Sequence, residues 1–248
     1  MSALSSLKSD ASIANEKDSV GGNAPLESGL YPSSVSMAYL NKAASGALGL
    51  VISLKTAENK EVRQTFWMTA GQAKGGNNYY TDKNGDRQYL PGFIQANSLC
   101  LLAAGKEVSD MDTETKVIKL YSPEAKAEVP TKVEVLTDLL NKDVIVGLIK
   151  QIVDKTKKNE ATGTYEATGE TKEENEVDKF FRASDRMTTA EIRAQAEEAS
   201  FINTWESKWA GKTKEKAKSA SGTAGAPKLS GLMPAGNTAK KPTTSLFG

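Results

Sequence analysis

The sequence predicts a mainly β protein with helices: a five-stranded Greek-key barrel, C-terminal helices packed on it, and disordered termini. Three observations carry that expectation. Apolar residues alternate at period two through much of the first half, short turn signals separate those runs, and one strong helical pattern falls between the third and fourth main strands. Neither end of the 248-residue chain has a sustained apolar period.

The elements follow in order. Ser33 to Leu40 reads as a strand, and Ala47 to Thr56 repeats Leu48, Leu50, Ile52 and Leu54 on one face. Glu58-Asn59 turns the chain into Lys60 to Thr69, where Val62, Phe66 and Met68 point inward and Arg63, Thr65, Trp67 and Thr69 point away. A smaller hairpin joins Tyr79-Tyr80-Thr81 to Arg87-Gln88-Tyr89, and Asn84-Gly85 reads as a type I′ turn because both residues tolerate positive φ. Phe93 to Ala104 is helical and stops at Gly105. Lys116 to Tyr121 is a strand, Val135 to Asn141 a short helix, and Val144 to Val153 an apolar strand running on into Lys155, Lys157 and Lys158. Thr164 to Thr168 pairs back across Asn159 to Gly163, and Glu176 to Arg182 and Thr188 to Trp209 read as helices. This is the strand and helix order of an OB-like Greek-key barrel, an order that periodicity alone shares with other α+β barrels. The expected division is a flexible arm over 1–30, the barrel over 31–170, a helical extension over 171–210 and a basic disordered tail over 211–248.

Composition narrows the chemistry. The chain has no histidine and one cysteine, which excludes zinc sites built on those residues, Ser-His or Cys-His nucleophiles and an intrachain disulfide. Cys100 lies in Leu99-Cys100-Leu101-Leu102 and is expected to be buried. Neither phosphate-loop nor dinucleotide-loop spacing occurs, and the acidic runs Asp110-Met111-Asp112 and Glu173-Glu174-Asn175-Glu176 read as solvated. The expectation is therefore a protein that is not an enzyme, with no cofactor and no metal. No apolar run reaches membrane-span length and the N-terminus has no apolar signal core, so a soluble, intracellular protein with no membrane partner is expected.

Charge is unevenly placed. Thirty-two basic against 31 acidic residues give a net charge of +1. From Trp205 to Gly248 eight lysines face only Glu206 and Glu215, so this segment carries +6 and residues 1–204 carry −5.

Six of the 16 aromatic residues (Phe66, Trp67, Tyr79, Tyr80, Tyr89 and Phe93) fall between positions 66 and 93. Lys55, Lys60, Arg63, Lys74, Lys83 and Arg87 lie among and just before them. Bases stack on aromatic faces and lysine or arginine answers phosphate, so aromatic and basic side chains interleaved on strands point to single-strand nucleic-acid binding. Phe66 and Phe93 fit the core. Trp67, Tyr79, Tyr80 and Tyr89 are divided between packing and stacking, with Arg63, Lys55, Lys74 and Arg87 as phosphate candidates. Lys150, Lys155 and Lys157, at a strand end and its turn, form a second tier shared with a simply solvated surface. The terminal Leu246-Phe247 follows a largely polar tether and is a candidate docking tip for a protein partner.

Tyr79-Tyr80-Thr81-Asp82-Lys83, Leu90-Pro91-Gly92-Phe93, Leu99-Cys100-Leu101-Leu102, Val129-Pro130-Thr131, Val135-Leu136-Thr137-Asp138-Leu139-Leu140 and Ile149-Lys150-Gln151 resemble single-stranded DNA-binding proteins of lytic tailed bacteriophages. The resemblance runs from about Leu30 to Lys214 and returns at Ser245-Leu246-Phe247-Gly248. It implies an OB-fold protein that coats single strands in phage replication and recombination in the cytoplasm of an infected bacterium. It further implies a tail that recruits replication, recombination or RNA polymerase proteins. Bacterial counterparts end in an acidic tail with a hydrophobic tip, whereas here Lys240 and Lys241 precede the tip, so the basic tail is also a candidate DNA contact. Against this stands a protein-interaction factor whose helices and tail engage a polymerase or recombinase, motivated by the acidic body.

Overall fold

The computed structural model describes residues 24–122, 125–159 and 164–218. Residues 1–23 of the arm expected over 1–30, the tail from 219 and its Leu246-Phe247 tip lie outside the described residues. The end of that arm is ordered, with the Leu26 N–H donating to Asn175 Oδ1 at 2.8 Å, Ser28 buried, and Gly29 and Leu30 opening the first strand.

Three strands open the fold as a meander: β1 (Gly29–Lys42), β2 (Leu48–Thr56) and β3 (Glu61–Trp67). Their alternation places Val35, Leu50, Ile52, Leu54, Val62 and Phe66 on one buried face, as expected. The small hairpin β4 (Tyr79–Thr81) and β5 (Arg87–Tyr89) follows. Its loop is not the expected type I′ turn: Gly85 takes φ +90° while Asn84 stays out of the positive region. The Asp82 carboxylate supplies the reason, accepting the backbone N–H groups of Asn84 at 2.8 Å and Asp86 at 3.0 Å.

Helix α1 (Pro91–Ala104) starts with proline in its first turn and ends at Gly105, whose left-handed conformation lets its N–H reach the Leu101 carbonyl. A Cβ on Gly92 would lie 2.2 Å from the Trp67 carbonyl oxygen, so only glycine lets the helix start close onto the end of β3. Beyond it come β6 (Thr113–Ser122), β7 (Ala127–Leu136), β8 (Asp143–Lys158), β9 (Tyr165–Arg182), α2 (Thr189–Arg193), α3 (Phe201–Trp209) and β10 (Thr213–Glu215).

Among the described residues eight strands, all but β4 and β5, form one large and mainly antiparallel sheet instead of the expected five. Its path runs β10-β8-β1-β2-β3, with β9 on the other side of β8 and the β6–β7 hairpin against β1 at Tyr39 and Val135. The sheet is open. No ladder joins β3 to β9 among the described residues; instead Gln64 Oε1 accepts the Val177 N–H at 2.7 Å, and Phe66 meets Phe180 edge to face with ring centres 5.9 Å apart.

Several expected elements change type. Val135 to Asn141 is not a helix but the end of β7 followed by a 3₁₀ turn over Thr137–Leu139, because Val133 and Val135 continue the two-residue alternation of a strand. Glu176 to Arg182 is not a helix either. Pairing with the apolar β8 buries Val177, Phe180 and Phe181, and this tertiary contact overrides the local helical pattern. Residues 171–182 therefore belong to the sheet, not to a helical extension. Thr188 to Trp209 divides into α2 and α3, with Gln195 at φ +53° between them. The expected tail contains β10, pairing parallel to β8 from Thr213 opposite Lys150 to Glu215 opposite Ile152.

The main core lies between the sheet and α1, which contributes Ala96, Leu99, Cys100 and Leu102. Cys100 is fully buried, as expected, and burial pushes its thiol pKa up to about 12. On the outer face, Ile202 and Trp205 of α3 pack against Ile149 and Phe181. Gly147 makes this possible: a Cβ there would stand 2.8 Å from the Trp205 ring. Glu191 ties both short helices together. Its carboxylate accepts N–H bonds from Thr188 at 2.9 Å, Ser200 at 2.8 Å and Phe201 at 2.8 Å. Burial alone would raise its pKa, but these bonds outweigh it and hold the group at about 2.

Glu191→Ala is expected to cost about 1–2 kcal/mol at neutral pH, the range of a lost cap. Because the folded pKa lies below that of the unfolded chain, this contribution is complete above roughly pH 5 and is lost as pH falls toward the folded value. Urea unfolding of the two proteins should therefore differ at pH 7 and converge near pH 2. A constant difference across that range would overturn the assignment.

Candidate nucleic-acid interface

Trp67 is the last residue of β3 and stands on the outer face, where it is 42% exposed. Its ring lies across Gly49 of β2, where a Cβ would come within 2.9 Å. A larger residue at position 49 would lift the indole from the sheet.

Two turns hold the neighbouring residues. The 3₁₀ turn Gln72–Lys74 is anchored to the β1–β2 connection by the Gln72 N–H donating to the Ser45 carbonyl at 2.8 Å, which positions Lys74. The β4–β5 hairpin is fixed at its base, where Ala70 N–H donates to the Asn77 carbonyl at 2.8 Å and Leu90 N–H to the Asn78 carbonyl at 2.9 Å. On one face of that hairpin the Arg87 guanidinium lies over the Tyr79 ring, 4.8 Å from its centre. Tyr89 packs at 5.0 Å on Phe93 of α1, yet keeps 59% of its surface exposed. Tyr80 lies on the opposite face and is also exposed.

These elements border a groove of about 910 Å³ that crosses the seam between β3 and β9. Trp67, Lys74, Tyr79 and Tyr80 line it, together with Gln64, Gln95, Glu176, Asp178 and Lys214. Arg87 and Tyr89 line an adjoining depression that shares Tyr79 with it. Six residues expected from sequence are thus gathered at one site.

The others lie elsewhere. Arg63 is on the same face of β3 as Trp67 but donates its hydrogen bond to the Tyr39 hydroxyl and does not line the groove. Lys55 faces Glu61 at the far end of the β2–β3 pair. Lys150 is held by Glu27 at 3.0 Å and Glu173 at 3.2 Å, and those two bonds raise its pKa. Lys155 pairs with Glu170 at 2.9 Å, and Lys157 borders a separate hollow near the tip of the β8–β9 pair.

Both groove acids have internal partners. Burial raises the Glu176 pKa, but Lys216 at 2.7 Å and Lys214 at 3.2 Å more than offset it and hold the carboxylate below its usual range. Asp178 Oδ2 accepts the Trp205 indole N–H at 2.7 Å. Exposed aromatic faces, Lys74, Arg87 and the Asn77 amide remain along a continuous surface, beside Lys214, Gln64 and Gln95, each of which already has an internal partner. Such a surface can stack planar rings, attract anions and offer hydrogen bonds to polar edges.

Gln95 and Asp178 carried no sequence signal, because the helix and the strand that bring them together are distant in sequence. Lys214 did carry one: Lys212, Lys214, Lys216 and Lys218 alternate with smaller or acidic residues, the period of a strand. No group of three or more acids or cysteines among the described residues is arranged to hold a metal, and no described helix is long and apolar enough to cross a membrane.

No protein-family model matches the chain, and no curated protein matches it.

Gly49→Val is expected to displace Trp67 and increase quenching of tryptophan emission by iodide. Unchanged quenching would contradict the placement of the ring over Gly49.

Proposed function

We propose that the groove binds single-stranded nucleic acid without reading its sequence. More specifically, we propose a non-enzymatic single-stranded DNA-binding protein of the kind that lytic tailed phages use to protect strands during replication and recombination. The observation that carries this reading is the gathering of Trp67, Tyr79, Tyr80 and Lys74 on one groove, with Arg87 and Tyr89 beside it. Stacking accepts any base and lysine or arginine accepts any phosphate, so the pair of interactions gives affinity with little sequence preference. The circuit β1-β2-β3 and β1-β8-β9, with α1 between β3 and the later strands, supports an OB-like barrel whose remaining gap is the seam. Binding proteins of that architecture use a strand face and its bordering loops. Recruitment of replication, recombination or RNA polymerase proteins through Leu246 and Phe247 belongs to the same proposal, as does residence in the cytoplasm of the host cell.

A second reading, a protein-interaction factor with DNA binding secondary, has one observation in its favour. An apolar hollow of about 410 Å³, bordered by Leu40, Leu48, Met68, Phe93, Met111 and Leu136, could accept a partner's apolar side chain.

Fluorescence anisotropy with a mixed-sequence single-stranded oligonucleotide distinguishes the two. Trp67→Ala and Tyr79→Ala should each weaken binding by about 1–3 kcal/mol, roughly five-fold to over a hundred-fold. Tyr121→Ala, which removes an exposed ring from the β6–β7 hairpin, should leave binding unchanged. Wild-type protein that ignores single strands at low salt, or equal losses at all three positions, would sink the first reading.

A further inference from the structure

Strand β10 brings part of the basic segment onto the sheet. It pairs with β8 from Thr213 opposite Lys150 to Glu215 opposite Ile152, and the pairing continues as the Lys216 N–H donates to the Ile152 carbonyl at 2.9 Å. The Lys218 N–H then reaches Asp154 Oδ2 at 3.0 Å. In extended chain, alternate residues share one face and are separated by about 6.6 Å. Lys214 and Lys216 therefore stand side by side, and both point toward β9.

What meets them there is Glu176. Its two carboxylate oxygens divide between the two ammonium groups, Oε2 to Lys214 and Oε1 to Lys216. Lys214 also lies 5.7 Å from the centre of the Trp209 ring, and it lines the groove that Trp67 and Tyr79 border. A carboxylate that bridges two lysines at the wall of a groove occupies the place that a backbone phosphate would take, with the same charge sign and the same two-oxygen geometry.

We propose that Lys214 and Lys216 are a phosphate-binding wall of the groove and that Glu176 is an internal substitute for phosphate, displaced from the two lysines when a single strand enters. The inference rests on the single-strand reading of the groove and deepens it. It places cations on the β9 side of the groove, which Lys150, Lys155 and Lys55 do not line. It also gives β10 a purpose beyond tethering the tail: it converts a flexible run of lysines into a fixed track. Glu176 sets affinity in this scheme by competition, since an arriving phosphate must outbid an ion pair already present. The exchange leaves the Glu176 carboxylate facing water at the groove rim, where it repels the strand.

The full chain and three variants test this by anisotropy with an unstructured single-stranded oligonucleotide across a salt series. Glu176→Gln removes the competing charge and keeps the side-chain shape, so affinity should rise about fivefold at low salt. Lys214→Ala combined with Lys216→Ala should weaken binding and reduce the slope of log affinity against log salt by roughly 1.4, the release expected for two phosphate contacts. Lys155→Ala, a lysine of the β8–β9 pair that does not line the groove, should leave the slope unchanged. Circular dichroism melts confirm that each variant is folded at the assay temperature. Unchanged or weaker binding by Glu176→Gln, or an unchanged salt slope for the double variant, would overturn this wall while the Trp67 and Tyr79 results keep the groove. A wild-type protein with no affinity for single strands would overturn both.

Discussion

One extra residue in β9 holds the architecture around the groove together. Gly147 pairs with Lys179 and the next residue, Leu148, pairs with Val177, so Asp178 bulges out of the ladder. Its carbonyl accepts a hydrogen bond from Gln95 of α1, and its carboxylate accepts the indole N–H of Trp205 from α3. The adjacent Val177 N–H goes to Gln64 of β3. These backbone groups face away from β8, on an edge of β9 that has no ladder partner among the described residues, and at the bulge one site joins a strand edge, the principal helix and the docked C-terminal helix. The seam is bridged by side chains in place of a ladder, and that leaves a groove with polar groups fixed along its floor.

The charge distribution has a local meaning that the global balance hides. Residues 1–204 carry −5, which taken alone disfavours any polyanion. Around the groove, however, the acids are engaged: Asp178 by an indole and Glu176 by two lysines. Exposed charges beyond about 8–10 Å are largely screened at physiological salt. A polyanion entering the groove would therefore meet Lys74, Arg87 and the aromatic faces, with the Lys214 charge shared with Glu176.

Local signals in the sequence located much of the site. The alternation of Leu48, Leu50, Ile52 and Leu54, the paired tyrosines around the Asp82–Asp86 loop and the helix ended by Gly105 all lie within short windows, and each matches the structure closely. That locality is why Trp67, Tyr79, Tyr80, Lys74, Arg87 and Tyr89 could be found. The start of β9 was legible, since Thr164 to Thr168 was expected to pair back and Tyr165 to Ala167 do pair with β8. The rest was not, because Glu173 to Asn175 read as a solvated run and only pairing with β8 makes Val177, Phe180 and Phe181 a buried strand. Besides the alternating lysines of 212–218, the alternation of Val129, Thr131, Val133 and Val135 was a missed local signal, obscured by Pro130, Lys132 and Glu134 between them. Lys55, Lys150 and Lys155 were chosen by type and spacing, but whether a lysine is available depends on acids brought up by other strands, as Glu27, Glu173 and Glu170 show.

The central claim is that a single strand lies across the seam between β3 and β9. Hydrogen–deuterium exchange of the full chain, with and without a saturating single-stranded oligonucleotide, measures this directly. Protection is predicted in segments covering residues 64–81, 174–179 and 212–216, with little change in the β6–β7 hairpin. Protection confined to the β6–β7 hairpin, or to the tip of the β8–β9 pair, would contradict the account.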